Sequence, residues 1–210
     1  MRKTSYVVTA VAVILTTVFT VLSLVRTDWV VAKYDALNST ATYQAKYGLS
    51  TVCQRLVITL PGGGFHKFEC RDFPDRKKDD CEENQFFCAA WTSAGYAVEL
   101  AIGFGALSLV TILIGISTHS RRRRIWRAVA GLVILHSVLQ LVAFSLVVDL
   151  YRTGRYPTFE DAKLGPALIF NTVAWVLGVL TATSVIVTGM AADRGKRWAA
   201  GNRAYQPIDG

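Results

Sequence analysis

The chain has 210 residues, of which 52% are hydrophobic, and it carries a formal net charge of +8. The apolar residues form four continuous runs rather than amphipathic stripes, which excludes an ordinary soluble domain. The excess of basic residues lies in three short segments that fall on the same side of the membrane. Basic residues mark the cytosolic side, so the positive charge does not indicate nucleic-acid binding. Each run is long enough for a bilayer core of roughly 30 Å, which predicts four transmembrane helices over Tyr6–Val25, Ala94–Ser117, Ala128–Val148 and Pro166–Met190.

The first run has an alternative interpretation as a cleaved signal peptide behind Met1-Arg2-Lys3. It is longer than a signal core, and Leu24-Val25-Arg26 is a poor cleavage context. We therefore predict a retained helix and an α-helical membrane protein, a four-transmembrane-helix bundle. Both termini are expected in the cytosol of a multi-pass plasma-membrane protein.

The long loop between the first two runs, residues 26–93, is predicted to be extracellular and to contain β-structure. β-Branched and aromatic residues recur in it, as is typical of strands. Pro61-Gly62-Gly63-Gly64 is a turn signal, which predicts a hairpin with a four-residue connection. The strand candidates are Trp29–Tyr34, Thr40–Leu49, Ser50–Leu60 and Phe65–Cys70.

All four cysteines, Cys53, Cys70, Cys81 and Cys88, lie in this loop, where an oxidising compartment favours disulfides. Three pairings are possible, and the hairpin selects one of them. Folding about the turn brings Cys53 nearly opposite Cys70, which leaves Cys81 to pair with Cys88. The rival interpretation is a metal site, but zinc-type cysteine spacing is absent. We therefore predict a small disulfide-stapled extracellular β-sheet, with no metal and no cofactor.

Two other features of the long loop bear on function. Asn38-Ser39-Thr40 is a glycosylation sequon, which predicts a glycan on Asn38. The segment 71–83 is densely charged with both signs. It is either a solvated excursion or a contact surface for a partner.

Four polar residues interrupt the apolar runs. Glu99 lies five positions into the second predicted helix, and carboxylates in membranes are costly and often functional. It is either an ion or ligand site or a structural hydrogen-bonding residue. His136, Gln140 and Asn171 are expected to form hydrogen bonds between helices, with a proton relay as the alternative.

Small residues recur every four positions on the second and fourth helices. Such ladders allow helix backbones to approach closely. They predict contacts either within the bundle or between copies of the chain, and they comprise Ala97, Ala101 and Gly105, and Ala174, Gly178 and Ala182.

The cytosolic connection and the tail, residues 191–210, carry two further candidate signals. Arg121, Arg122, Arg123, Arg124 and Arg127 form a basic cluster beside the membrane, which predicts attraction to anionic lipid beyond setting the topology. Tyr205-Gln206-Pro207-Ile208 matches a Tyr-x-x-apolar sorting signal. The short loop of residues 149–165 is expected outside the cell.

The chain resembles the claudin / peripheral-myelin-protein superfamily. The resemblance rests on four helices and on the order Trp29, Gly48-Leu49, Cys53 and Cys70 in the first extracellular loop. Gly165 and Trp175 add a similar entry into the fourth helix. The resemblance implies that the long loop forms a sheet of four or five strands resting on the helix bundle.

The departures from that family favour a fungal claudin-like plasma-membrane tetraspan protein over an animal junction protein. Ser50 stands where the family has a second Trp, and the interval between Cys53 and Cys70 is longer than in vertebrate claudins. Cys81 and Cys88 are additional. The C-terminus, Pro207–Gly210, lacks the apolar last residue that PDZ domains bind.

The sequence contains no nucleophile–base pair or phosphate loop, so we predict that the chain is not an enzyme. The leading expectation is a claudin-like structural or organising protein that acts through contacts of its extracellular loop. Its expected partners are anionic lipids, other membrane proteins and copies of itself. The alternatives are a small ion channel or auxiliary subunit of a transporter or channel, and a membrane sensor or adaptor.

Overall fold

The computed structural model describes residues 3–35, 41–60, 63–75, 81, 84–117, 122–159 and 161–200. The predicted sites at Asn38, Arg121, Tyr205 and Ile208 lie outside these residues. The elements in chain order are α1 (Lys3–Val25), β1 (Val30–Asp35), β2 (Ala41–Tyr47), β3 (Thr51–Leu60), β4 (Gly63–Asp72), α2 (Gln85–Ser117), α3 (Arg122–Arg152), a 3-10 turn (Pro157–Phe159), β5 (Ala162–Leu164), α4 (Pro166–Asp193) and α5 (Arg197–Ala200).

Helices α1 to α4 are each long and apolar enough to cross a membrane, so the chain has the architecture of a multi-pass membrane protein with a small sheet. The helices extend past the apolar runs that predicted them. Helix α2 begins at Gln85, nine residues before the expected start, and α3 runs from Arg122 to Arg152. The apolar run measures the hydrocarbon thickness, whereas a helix continues for as long as its backbone hydrogen bonds are made.

The described residues form two compact units, and the first is helical. It comprises Met1–Phe19, Leu100–Leu139 and Val173–Gly210. Its buried core includes Tyr6, Val13, Ile112, Trp126, Val129, Ala130, Val133, Ala182 and Val185.

Small residues permit the close packing of this helical unit. Gly105 is buried, and a Cβ added there would lie 2.6 Å from Thr17 Oγ1. A Cβ at Gly178 would overlap Ser137 Oγ. The ladder positions Ala101, Ala174 and Ala182 are buried as well. Within this chain, the small residues therefore serve helix packing.

The second unit comprises Thr20–Glu99 and Gln140–Thr172 and contains one antiparallel sheet of order β4-β3-β2-β1-β5. Its burial alternates along β1, so Val30 and Ala32 face the core while Lys33 is exposed. This is the period-two pattern of a half-buried strand.

The β3–β4 hairpin has the predicted centre but a shorter connection. Cys53 is paired directly with Cys70 in the register, as expected. The predicted four-residue connection is wrong, because Gly63 and Gly64 belong to β4 and pair with Leu60 and Thr59. Glycine adopts extended as well as turn conformations, so these two residues lengthen the ladder and leave only residues 61–62 between the strands.

The fifth strand comes from the second predicted loop. Ala162–Leu164 pairs antiparallel with β1, and Ala162 lies opposite Ala32. The described part of residues 149–165 also contains the end of α3 and the 3-10 turn. This loop therefore completes the sheet rather than only connecting two helices.

Candidate functional site

Trp29 links the end of α1 to the sheet. Its side chain is fully buried, and its Nε1–H donates to the Ser23 carbonyl at 2.7 Å. Its backbone N–H donates to the Tyr47 carbonyl, and its carbonyl accepts from the Gly165 N–H, both at 2.9 Å. A buried indole N–H without an acceptor is costly, so the Trp29 side chain stays at the end of α1. Its backbone hydrogen bonds then hold the following residues in the sheet.

Gly48 and Leu49 form the contact between the sheet and α2. A Cβ at Gly48 would lie 2.9 Å from Thr27 Cα, so the backbones approach as closely as glycine allows. The Gly48 carbonyl accepts from Trp91 Nε1–H at 3.2 Å. Leu49 is buried and lies over Gly95. Trp29, Gly48 and Leu49 therefore form a junction between the sheet and the helices α1 and α2.

An aromatic cluster that sequence reasoning missed fills the space beneath the sheet. Neighbouring rings lie 4.7–6.0 Å apart between centroids, in stacked, tilted and edge-on arrangements that aromatic pairs favour. No sequence periodicity signals it, since its members come from β2, the loop after β4, α2 and the region of the 3-10 turn. They are Tyr47, Phe73, Phe87, Trp91, Tyr156 and Phe159.

Tyr47 is one of the two tyrosines of this cluster. Its hydroxyl lies 2.8 Å from Thr158 Oγ1, while the ring is almost completely buried. Burial disfavours the phenolate and raises the pKa of Tyr47 to about 12. Tyr34 O–H donates to the Thr158 carbonyl at 2.8 Å. Thr158 in the 3-10 turn is therefore hydrogen-bonded by a tyrosine from β1 and by one from β2.

Asp28 joins the same junction to the start of α4. Its carboxylate accepts from Arg26 Nε–H at 2.9 Å and from the backbone N–H of Ala167. The hydrogen bond from Arg26 is the largest cause that lowers the pKa of Asp28 below its ordinary value, although burial opposes it. A carboxylate at the first turn of a helix also interacts favourably with the helix dipole.

Two disulfides reinforce the unit, in the predicted pairing Cys53–Cys70 and Cys81–Cys88. The second joins Cys81 to the first turn of α2. Asn84 caps that helix, since its Oδ1 accepts from the Phe87 N–H at 3.0 Å. Asn84 Nδ2 also donates to the Arg155 carbonyl at 2.7 Å, which ties the cap to the segment after α3.

Glu99 lies farther from the start of its helix than predicted. Because α2 begins at Gln85, Glu99 is its fifteenth residue, roughly 21 Å from the helix start rather than one turn inside it. Its side chain is exposed and lines a cavity of about 270 Å³ together with Asp72, Ser50 and Thr92. With Tyr96, two carboxylates and three hydroxyl-bearing side chains therefore line one space.

The buried polar residues of the helices bond between helices, as expected. In the helical unit, His136 Nδ1 lies 2.8 Å from the Ala101 carbonyl, and His136 is 2% exposed. In the sheet-bearing unit, Asn171 Nδ2 donates to Gln140 Oε1, and both side chains are fully buried. Trp175, the last residue of the family motif, is half-buried in α4.

The basic cluster coincides with the start of α3. Arg122, Arg123 and Arg124 occupy its first turn, where positive charge opposes the helix dipole. Arg127 Nη2 lies 3.6 Å from Asp193 Oδ2, and its guanidinium carbon lies 5.5 Å from the Trp126 ring centroid. Arg127 therefore has partners that account for its place in α3, whereas the first-turn positions of Arg122, Arg123 and Arg124 are not favoured by the helix dipole.

No protein-family model matches this chain, and no curated protein is significantly similar to it. The resemblance to the claudin superfamily therefore stays a prediction from the sequence.

Proposed function

We propose that the chain is a claudin-like organising protein of the plasma membrane, whose sheet lies outside the cell and whose termini lie in the cytosol. The observation that carries the proposal is the outer strand β4, presented on a disulfide-linked sheet. Phe65 is 54% exposed and Phe68 is 70% exposed on this strand. Large exposed aromatic residues outside apolar helices are typical of protein contact surfaces.

The rigidity of the sheet supports this role. The junction at Trp29, the aromatic cluster and the Cys53–Cys70 disulfide hold the strands in one arrangement. A preordered surface loses less conformational freedom on binding than a flexible loop does. The sheet is therefore suited to engage other membrane proteins or a second copy of the chain.

The arginines at the start of α3 support the proposal that the cytosolic side of the protein binds anionic lipid. Their unfavourable position relative to the helix dipole is offset if lipid phosphates lie nearby, at about 1 kcal/mol per basic residue. The same charges support the proposed orientation.

Chemical crosslinking in native membranes, followed by affinity purification, tests the proposal. The Phe65→Ser variant should lose most of the crosslinked partner. The Trp198→Ser variant is the matched control, because Trp198 is 55% exposed but lies in α5. Full partner recovery with Phe65→Ser, or a strictly monomeric wild-type protein without partners, contradicts the proposal. A tag after Gly210 that is reachable from outside intact cells contradicts the orientation.

The cavity at Glu99 favours a second candidate, a small ion channel or auxiliary channel subunit. Glu99 and Asp72 would attract cations to this space. Cation flux into liposomes, lost in Glu99→Gln and retained in Glu69→Gln, supports this candidate. Glu69 is a suitable control because it is an exposed carboxylate paired with Lys67 at 2.9 Å. Absence of flux in wild-type liposomes eliminates a channel that acts alone.

A further inference from the structure

One face of the sheet contains a concave cavity of about 440 Å³, which is separate from the cavity at Glu99. Its lining includes Gln44, Lys46, Cys53, Arg55, His66 and Phe68. The volume falls in the range of roughly 300–1,000 Å³ that is typical of small-ligand sites. These residues come from three neighbouring strands, β2, β3 and β4, so the paired strands define their spacing.

The strand register places the lining in two adjacent rows. Lys46 lies opposite Cys53, which lies opposite Cys70. Gln44 lies opposite Arg55, which lies opposite Phe68. Lys46 and Arg55 are therefore diagonal neighbours, roughly 7–8 Å apart at their backbones, and two long cationic side chains at that separation can reach one anion.

The charge of this cavity is positive and largely uncompensated. No acidic side chain is among its described lining residues, and neither Lys46 nor Arg55 forms an ion pair within the described part of the chain. Lys46 is attracted to Asp28, but that carboxylate is already held by Arg26. On the opposite face of β4, by contrast, Lys67 and Glu69 neutralise each other.

Phe68 supplies the apolar side of the cavity. It lies opposite Arg55 and is 70% exposed, an unusual position for a phenylalanine outside a membrane-crossing helix. The face of an aromatic ring is electron-rich and accepts the polarised C–H groups of a sugar ring. Gln44 and the cationic side chains offer hydrogen bonds at the edge of such a ring.

We propose that this cavity binds an acidic sugar unit, one that carries a carboxylate, sulfate or phosphate. Phe68 packs against the ring of the sugar, Lys46 and Arg55 bind its anionic group, and Gln44 and His66 bind hydroxyls. The Cys53–Cys70 disulfide holds the two central strands in register beneath the ligand. The inference rests on the proposed function in one respect, the location of the sheet outside the cell, where such glycans occur.

Ligand-observed NMR titrations of the purified full-length protein in detergent micelles test the inference. The probes are glucuronic acid, glucose 6-sulfate and glucose 6-phosphate, with glucose, inorganic sulfate and inorganic phosphate as references. At least one acidic sugar should bind tighter than glucose and tighter than the corresponding inorganic anion. Equal binding of the inorganic anion would identify a simple anion site and overturn the sugar assignment.

Three variants locate the site. Arg55→Gln and Lys46→Gln should each weaken binding of the acidic sugar about tenfold, since each removes a charge-assisted hydrogen bond. Both are measured so that a folding defect in one leaves the other informative. Phe68→Ala should weaken binding of the sugar and leave binding of inorganic phosphate unchanged.

Lys67→Gln is the matched control, because it removes a charge from β4, the strand that carries Phe68, on the opposite face of the sheet. Equal loss of binding in Lys67→Gln and Arg55→Gln would overturn the inference, as would unchanged sugar binding in Phe68→Ala. These titrations use purified protein without partners. Their failure therefore leaves the crosslinking result intact, and a failed crosslinking experiment leaves the sugar site intact.

Discussion

Gly165 is the position at which one methyl group should disturb the sheet most. It immediately precedes α4, and its N–H donates to the Trp29 carbonyl at 2.9 Å. A Cβ at this position would overlap the Asp28 carbonyl oxygen and lie 3.3 Å from Val31 Cγ2. The overlapping atom belongs to the backbone, so no side-chain rotation relieves the clash.

The expected cost of Gly165→Ala has two parts. Overpacking against an atom that cannot move costs about 1–3 kcal/mol, and this geometry belongs at the upper end. Separating the backbones also weakens the hydrogen bond to Trp29, which contributes about 1 kcal/mol. A total of about 3–4 kcal/mol corresponds to a fall of roughly 6–16 °C in melting temperature for a chain of this size.

Thermal unfolding in detergent, followed by size-exclusion chromatography of the heated protein, measures this effect. Gly131→Ala is the matched control, because its Cβ meets nothing within 4 Å and its helical position favours alanine by about 0.8–1.0 kcal/mol. The control should melt at or above the wild-type temperature. A Gly165→Ala protein that melts within about 2 °C of wild type, less than 1 kcal/mol, would refute the reasoning.

Three further predictions concern the same unit. Replacing both Cys53 and Cys70 by serine removes a disulfide that joins residues 17 positions apart in the chain. The loss should destabilise the sheet by about 3 kcal/mol, measured by proteolysis at increasing urea concentration. Tyr47 contributes stability that is complete below pH 10 and lost as pH rises to about 12, because the folded state retains the phenol proton longer than the unfolded state. Melting temperatures should therefore fall over this interval in wild type and less in Tyr47→Phe. Asp28 contributes stability above its unfolded pKa, lost as pH falls through its lowered folded pKa, so Asp28→Asn should melt below wild type at pH 7 and approach it in acid.

Each of these predictions has an outcome that contradicts it. The disulfide prediction fails if the serine double variant resists proteolysis as wild type does. The tyrosine prediction fails if wild type and Tyr47→Phe lose stability equally between pH 10 and 12. A constant difference between wild type and Asp28→Asn at every pH would show that the carboxylate charge is not the cause.

The candidate sites were only partly visible in the sequence. Trp29, Gly48 and Leu49 were identified from a family pattern, but Trp91, which donates to the Gly48 carbonyl, was not. Trp91 lies within the apolar beginning of α2, where nothing in the local sequence distinguishes a residue that contacts the sheet from one that faces another helix. The predicted position of Glu99 within α2 was wrong for a related reason, because the apolar run did not reveal where the helix begins.

The sequence by itself determined the features that depend on local composition and on symmetry about a turn. Four apolar runs matched the bilayer thickness, and the centre of the hairpin placed Cys53 opposite Cys70. Tertiary structure alone decided the pairing of β5 with β1, the aromatic cluster around Tyr47 and the diagonal placement of Lys46 beside Arg55 on neighbouring strands. These features bring together residues that are distant in the chain. They are stabilised by side-chain packing and strand pairing between segments, which the sequence of one segment does not reveal.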